Sequence, residues 1–302
     1  MLPISQYLKK PNLFFLSIVV KCGRYIKSDR LYLKLRYYLT YGQKLNLKNP
    51  TTFNEKLNWL KLYNRQSQYT MMVDKFGVKE YVTSKIGSEY IIPTLGVWNS
   101  PEEIDFDSLP NQFVLKTTHG GGGCGVVICT DKLTFDKEFA IAKLKQAMKA
   151  DIYTDFREWP YKNVPRRIIA EQYMVDDSIN DLRDYKFFCF DGKVRFCKVD
   201  FNRFMEHHAN YYDPKWNLLP FGEEVIPPIV DKKIDCPKNF DKMLEIAQRL
   251  SQGIPFVRID LYNIKGEIFF GEITFFPAGG MGKFTPRDVD KEIGQFIILP
   301  KT

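Results

Sequence analysis

The chain has 302 residues, with 44 Lys and Arg against 36 Asp and Glu, a formal net charge of +8, and 15% aromatic side chains. That length can bury one large domain or two lobes, which excludes a small stapled scaffold, and the Phe and Tyr content excludes a disordered polymer. The basic balance favours nucleotides, acidic polymers or a membrane surface as partners; no nucleic acid is expected.

Lys9 and Lys10 precede an apolar run from Leu13 to Val20. It falls far short of the ~20 residues of a spanning helix and no small-residue cleavage site follows, so a cytoplasmic protein is expected. From Lys9 to Lys48 ten Lys or Arg stand against one acidic residue, Asp29, with Leu31, Leu35, Tyr38 and Leu39 at helical spacing. Two readings stay open: a basic amphipathic helix at the membrane surface, or a helix packed on its own domain. Thr52 with Glu55 forms a capping box that starts a helix near Phe53, ahead of Leu57, Leu60 and Lys61. A second helix is predicted from about Asp74 to Lys85, closed by Gly87, then an extended segment from Tyr90 to Val97 and a polar loop from Pro101 to Pro110.

The stretch Phe113 to Cys129, FVLKTTHGGGGCGVVIC, reads as strand, glycine loop, strand. Glycines bring backbone N–H groups close to phosphate and Lys116 supplies a point charge, so ATP or a related nucleotide is the first hypothesis, against a flexible surface hairpin. A Walker loop fails because Val126 and Val127 stand where Lys and Ser or Thr are needed. A dinucleotide fold needs a helix next, and a protein kinase needs H-R-D and D-F-G, which are absent. The six cysteines, Cys124 in the loop among them, show no metal spacing, and His119, His207 and His208 are the only imidazoles, so zinc is not expected.

Asp136 or Thr134 caps a helix whose apolar stripe is Phe139, Ala142, Leu144 and Met148, and Arg167 to Met174 reads as a buried strand. Asp191-Gly192 is the strongest hairpin signal; a two-residue turn there pairs Lys186 with Cys197 and Phe188 with Arg195, placing Asp184, Lys186 and Arg195 on one face. Asn202 to Pro228, with both His207 and His208, is expected to be an irregular ordered loop near a substrate, or else a surface excursion. Asp241 caps a helix carrying Met243, Ala247 and Leu250. In the last two strands Val257, Ile259 and Leu261 alternate with Arg258, Asp260 and Tyr262, and Phe269, Ile273 and Phe275 with Phe270, Glu272 and Thr274. If both odd sets face one core, Arg258, Asp260, Glu272 and Thr274 share the other face, which suits either Mg²⁺ holding phosphates or an Arg258–Glu272 surface salt bridge.

This order of parts resembles the ATP-grasp superfamily, and more closely the TupA-like ATP-grasp family of bacterial surface-polysaccharide genes. FNEKLNWLK, DKFGVKEYV, IIPTLGVW, FVLKTTHGGGG, DYKFFCFDGKV and VRIDLYNIKGEIFFGEITFFP carry the likeness, from about Thr51 to Pro286. The resemblance implies an α+β fold in which two lobes clamp ATP behind an N-terminal helical extension. The expected parts are a basic helical segment over 1–50, an α/β part over 51–110, a lobe with glycine loop and hinge over 111–174, and a lobe with metal-binding strands over 175–302.

It further implies that Lys116, His119, Gly120, Gly121, Gly122 and Gly123 hold the phosphates, and that Glu171, Gln172, Tyr173 and Met174 form a hinge against adenine. Lys186 helps hold the nucleotide, Asp260, Glu272 and Thr274 carry Mg²⁺, and Arg258 acts with Lys116 at the transferred phosphoryl group. Many superfamily members have Asn where Thr274 stands. The implied activity is a carboxylate-amine ligase joining an amino-group donor to a uronic acid of an anionic sugar or polysaccharide through an acyl phosphate. Two other functions stay open: a nucleotide-sugar glycosyltransferase, whose D-x-D motif is replaced by D-L-R-D at Asp181 to Asp184, and a nucleotide-binding protein without turnover.

Overall fold

A computed structural model describes residues 11–123, 125–176, 183–201 and 206–301. Lys9, Lys10, Cys124, Asp181 and Asn202 lie outside the described residues. Five helices open the chain: α1 (Pro11–Lys21), α2 (Asp29–Tyr41), α3 (Phe53–Tyr63), α4 (Gln68–Val73) and α5 (Val78–Ile86). Strands β1 (Thr94–Trp98), β2 (Phe113–Thr117), β3 (Val126–Cys129) and β4 (Ile168–Gln172) make an antiparallel sheet in the order β1-β4-β2-β3. Between β3 and β4 run α6 (Lys137–Ala147) and α7 (Ile152–Phe156). The second sheet is β10-β9-β5-β6-β7, from β5 (Asp184–Phe190), β6 (Lys193–Phe201), β7 (His208–Tyr212), β9 (Val257–Ile264) and β10 (Glu267–Thr274). β8 (Gly222–Glu223) pairs with β11 (Phe284–Thr285), α8 (Phe240–Leu250) backs the second sheet and α9 (Val289–Gly294) packs on α3. The chain is α+β, as the sequence implies.

Local chemistry explains where these elements begin. Thr52 Oγ1 accepts from Glu55 N at 3.2 Å while Glu55 Oε2 accepts from Thr52 N at 3.2 Å, a reciprocal cap of the kind worth about 1 kcal/mol. At the hairpin between β5 and β6, Asp191 and Gly192 both take positive φ, 48° and 75°, the turn that matches strand twist. Two apolar cores result. One lies between the first sheet and α6 around Phe113, Leu115, Ala140 and Leu144. The larger lies under the second sheet, where Phe53, Phe188, Phe190 and Phe256 meet, with Phe53 and Phe256 centroids 4.8 Å apart.

Several expectations are corrected. The helix expected from Asp74 to Lys85 starts only at Val78, as α5, because the Asp74 carboxylate accepts from Phe76 N at 3.1 Å and folds residues 74–77 into a turn; the separate helix α4 ends just before it, at Val73. In α6 the buried stripe is Ala140, Leu144 and Ala147; Phe139 is exposed and so is Ala142. Tyr90 belongs to a short 3₁₀ turn and β1 starts only at Thr94. Asn239, not Asp241, stands at the cap of α8. His208 lies within β7, paired with Phe201, so the region expected to be irregular supplies an edge strand. In α2 the buried face is Tyr32, Leu33 and Tyr37, while Leu31, Leu35 and Tyr38 stay exposed.

Two β-bulges account for the register errors. A bulge at Phe188/Cys189 pairs Phe188 with Phe196 and Lys186 with Lys198, so Arg195 becomes the extra residue; its guanidinium lies over the Phe296 ring instead of beside Lys186. A second bulge, between Phe270 and Glu272, lets Ile268 and Phe270 bury before the gap and Ile273 and Phe275 after it. Phe269 therefore pairs with Tyr262 and leaves the core, contrary to strict alternation.

Candidate functional site

The first sheet carries a lysine cluster on the face opposite α6. The register sets Val114 against Glu171 and Lys116 against Ile169, so Lys116 and Glu171 share that face. Lys116 Nζ lies 2.8 Å from Glu171 Oε2 and Lys79 Nζ 2.5 Å from Glu171 Oε1. Burial alone would raise the Glu171 carboxyl, but Lys116 and Lys79 outweigh it and hold the group below its ordinary value. Lys75, in the α4–α5 turn, donates through its backbone N–H to Thr118 O at 3.0 Å and through its ammonium to the Gly120 carbonyl. It also lies near enough for the charges of Glu272 and Lys116 to act on its ammonium, which sets it between the glycine loop and the second sheet.

The loop itself needs glycine for two different reasons. Gly122 and Gly123 take φ of 65° and 77° with open space around them, whereas a Cβ on Gly125 would meet Thr117 Oγ1 at 2.3 Å. His119 opens the loop, buried, with no ring-nitrogen hydrogen bond of normal geometry among the described residues and only the Met148 carbonyl in reach. At the expected hinge, the Glu171 side chain faces the lysines, Gln172 N donates to Pro93 O at 3.0 Å, and Tyr173 and Met174 leave the sheet half-buried.

On the second sheet, Glu272 pairs directly with Asp260 and Thr274 with Arg258. The two carboxylates and the hydroxyl are thus brought together on adjacent antiparallel strands. Arg258 grips Asp260 with both ends of its fork, Nε to Oδ1 at 2.7 Å and Nη2 to Oδ2 at 2.6 Å, and its Nη2 also reaches Glu272 Oε1 at 3.0 Å and Thr274 Oγ1 at 3.1 Å. The carboxylates therefore do not simply repel, as adjacency without metal would suggest; a guanidinium sits between them. Although burial alone would lower Arg258, Asp260 and Glu272 raise it above its ordinary value. Burial pushes Asp260 up against the pull of Arg258 and Lys186. Burial also works against Glu272, but Lys75, Arg258 and Lys186 hold its carboxyl at about 2. Glu272 Oε2 has no hydrogen-bond partner among the described residues, and two-fifths of the side chain is exposed.

Lys186 is central to the neighbouring strands. Its Nζ is 2.6 Å from Asp184, 2.9 Å from Asp200 and 3.6 Å from Asp260, and these partners hold it protonated against the cost of burial. Strand β10 runs into a turn, 277–280, in which Ala278, Gly279 and Gly280 all have positive φ. One face of α3 holds the carbonyls around it: Asn54 Nδ2 on Gly282 O at 2.8 Å, Asn58 Nδ2 on Gly280 O at 2.8 Å, and Lys61 Nζ on Gly279 O at 2.6 Å and Phe156 O at 2.9 Å. Burial lowers the Lys61 ammonium, opposed by Glu158, whose own carboxyl burial raises. The polar positions of FNEKLNWLK thus brace the turn that follows Glu272 and Thr274.

Sequence reasoning assigned no role to Lys75, Lys79, Asp200, Glu158 or Tyr161. The first two were legible in DKFGVKEYV, where lysines four apart flank a turn. Asp200 was hidden by the bulge in β6, and Glu158 and Tyr161 sit in a stretch without periodicity. Among the described residues no group of three or more His, Cys, Asp or Glu is placed to hold a metal, no helix is long and apolar enough to cross a membrane, and Cys129, Cys189 and Cys197 are buried free thiols.

Among curated proteins none matches the chain. Similar solved structures include D-alanine–D-alanine ligase from Bacillus anthracis complexed with ATP, at 14% identity and TM-score 0.39, covering 68% of this chain and 54% of that one. The Helicobacter pylori D-alanine–D-alanine ligase is similar at 14% identity and TM-score 0.42, covering 82% and 69%. Carboxyaminoimidazole ribonucleotide synthase from Aspergillus clavatus, complexed with ATP, is similar at 13% identity and TM-score 0.40, covering 68% and 45%. The chain thus spans little more than half the length of the Bacillus anthracis enzyme. The sequence profile described as TupA-like ATPgrasp matches residues 55–298, most of the chain and every residue of both clusters, and so the chain belongs to the TupA-like ATP-grasp family.

Proposed function

We propose that the protein is an ATP-dependent carboxylate-amine ligase of bacterial surface-polysaccharide biosynthesis, joining an amino group to a uronic acid carboxylate. The observation that carries this reading is the pairing of Asp260 with Glu272 on a sheet face linked through Lys75 to Lys116 and the glycine loop. Lysines predominate on one side, with Glu171 among them, and carboxylates on the other, with Arg258 and Lys186 among them, a set of charges that suits a nucleoside triphosphate with a divalent ion.

Lys116, Gly120, Gly121, Gly122 and Gly123 hold the phosphates in this reading, with Lys75 and Lys79 as further cations, and Lys186 supports the nucleotide. Glu171 pre-positions Lys116, and backbone groups from Glu171 to Met174 face the base. The donor set for Mg²⁺ is one open oxygen of Glu272, Asp260 shared with Arg258, and the Thr274 hydroxyl. It fits an ion that takes one or two carboxylates and completes its shell with phosphate oxygens and water. When bound, that ion neutralises phosphate charge. Arg258 meets the charge that develops on the transferred phosphoryl oxygens. The carboxylate oxygen of the acid attacks the terminal phosphorus and ADP leaves; the amine nitrogen then attacks the acyl carbon, loses a proton and expels phosphate. The protein works in the cytoplasm, with exposed Phe14, Phe15 and Ile18 of α1 and Leu31 and Leu35 of α2, flanked by lysines, at the inner face of the membrane.

Hydroxylamine traps an acyl phosphate as a hydroxamate. With ATP, Mg²⁺ and a panel of uronic acids, hydroxamate and ADP are expected in equal amounts. Sugar transfer from a nucleotide sugar without need of ATP would replace this reading with a glycosyltransferase, and ATP binding with no ADP release would leave a nucleotide-binding protein.

A further inference from the structure

Beside the glycine loop, on the side of α7, lies a cavity of about 280 Å³. His119, Asp151, Tyr153, Tyr161, Lys162 and Arg166 contribute its polar lining. His119 is 4% exposed, and neither ring nitrogen makes a hydrogen bond of normal geometry among the described residues; the Met148 carbonyl is the one backbone acceptor in reach, so at least one nitrogen has no partner there. A buried imidazole left in that state is a standing cost unless a ligand completes it. Burial, then the Arg166 and Lys75 charges, hold it below its ordinary value. It is therefore neutral near pH 7, with one nitrogen to donate and one to accept.

The charge balance of the lining is positive. No carboxylate among the described residues pairs with Lys162 or Arg166: Lys162 Nζ lies 4.9 Å above the Tyr153 ring and Arg166 Nη1 donates to Met148 O at 2.9 Å. Asp151, the one acidic residue of the lining, is occupied by its own helix, accepting from Thr154 N at 2.9 Å and Thr154 Oγ1 at 2.7 Å. Tyr153 and Tyr161 add aromatic rings to the lining, the kind of side chain that the C–H side of a sugar ring packs against; Lys162 Nζ at 4.9 Å and Arg157 at 5.5 Å lie over the Tyr153 ring. At about 280 Å³ the volume falls just below the roughly 300–1,000 Å³ typical of ligand pockets, room for one sugar rather than a nucleotide. Its position matters too: His119 begins the glycine loop, and Tyr161 lies within electrostatic reach of Glu158 and Glu272.

We propose that this cavity is the acceptor subsite and takes a single carboxylated sugar, with Lys162 and Arg166 drawing in its carboxylate, Tyr153 and Tyr161 flanking its ring and His119 hydrogen-bonding a hydroxyl. The proposal rests on the ligase reading for what happens next, but binding itself does not need ATP. The test is saturation-transfer NMR and calorimetry on the full chain with D-glucuronate, D-galacturonate and D-mannuronate, and D-glucose as the neutral control. At least one hexuronate is expected to bind and glucose to bind at least tenfold more weakly. K162Q/R166Q should weaken the hexuronate at least tenfold and leave ATP affinity unchanged. K162Q alone, at an exposed side chain whose contact is the Tyr153 ring, should show part of the loss with little change in the unfolding midpoint, and R166K should retain most of the affinity.

Failure of all three acids to bind, or equal binding to K162Q/R166Q, overturns the subsite. The ligase reading fails separately: a hexuronate that binds the wild type through Lys162 and Arg166 yet yields no hydroxamate with ATP refutes the chemistry and leaves the subsite standing. Hydroxamate formation with an unaltered KM for the acid in K162Q/R166Q does the reverse.

Discussion

The Arg258–Asp260 pair can be tested by a double-mutant cycle with Arg258→Met and Asp260→Asn. Two charge-assisted hydrogen bonds, at 2.7 and 2.6 Å, join the side chains, and each such bond contributes about 1.5–3 kcal/mol. Neither partner is left wholly alone when the other is removed. Lys186 remains 3.6 Å from Asp260, and Glu272 remains 3.0 Å from the Arg258 fork. These secondary partners bring the coupling to the low end, about 3 kcal/mol. Each single substitution leaves a charge, in a side chain at most 13% exposed, with only its secondary partner, which costs about 3–4 kcal/mol, while the double substitution removes both charges and should cost little more than either alone. With a total stability on the order of 5–15 kcal/mol the variants still fold, so urea unfolding at pH 7 in metal-free buffer measures all four corners. Additivity of the two single effects within about 0.5 kcal/mol would show that the forked contact contributes nothing, and the electrostatic account of this site would be wrong. Asp260→Asn should also abolish Mg²⁺-dependent turnover, because Asn keeps the shape and loses the charge.

Lys116→Met should weaken ATP at least tenfold in calorimetry while unfolding midpoints hardly move, since Lys79 remains on Glu171 at 2.5 Å; unchanged ATP affinity would remove Lys116 from the phosphate site. Glu171→Gln should flatten the acid side of the stability curve. The native carboxyl lies below its ordinary 4.5, so the folded state binds fewer protons, and the stability Glu171 contributes is complete above about pH 4.5 and lost as pH falls through the native value. Unfolding series at several pH values should therefore converge for wild type and variant in acid, and a constant gap from pH 7 to pH 3 would contradict the assignment. In the glycine loop, Gly125→Ala forces a Cβ to 2.3 Å from Thr117 Oγ1 and 3.1 Å from Ala147 Cβ, whereas Gly122→Ala meets open space and pays only for positive φ. The expected losses are about 2 and 1 kcal/mol; thermal unfolding in the opposite order would mean that the loop relaxes around Gly125.

What could be read in advance was whatever a few neighbouring residues decide among themselves. Thr52 and Glu55 cap α3 because the donors they satisfy are three residues away, and Asp191-Gly192 turns because those two residues accept positive φ. The pairing of Asp260 with Glu272 was legible for a related reason. Ile259 and Ile273 must be buried, and period-2 geometry leaves their neighbours one shared face. Bulges break that logic at a distance. The extra residue near Gly271 restores the register only after Phe270 has already turned inward, so the same alternation that places Glu272 correctly misplaces Phe269. In β6 one extra residue carries Arg195 away from Lys186 and brings Asp200 in. Nothing in KVRFCKVD marks this, because the bulge is decided by the partner strands β5 and β7 and not by β6 alone. The glycine loop shows the limit from another side. Its strand-loop-strand form is local, but Glu171 as the counter-charge of Lys116 depends on β4 lying next to β2, a pairing fixed by the packing of Phe113, Leu115 and Ala170 over α6. The least legible part is the cavity at His119, whose lining comes from a segment with neither period nor motif, and its chemistry emerges only where α7 closes over the loop.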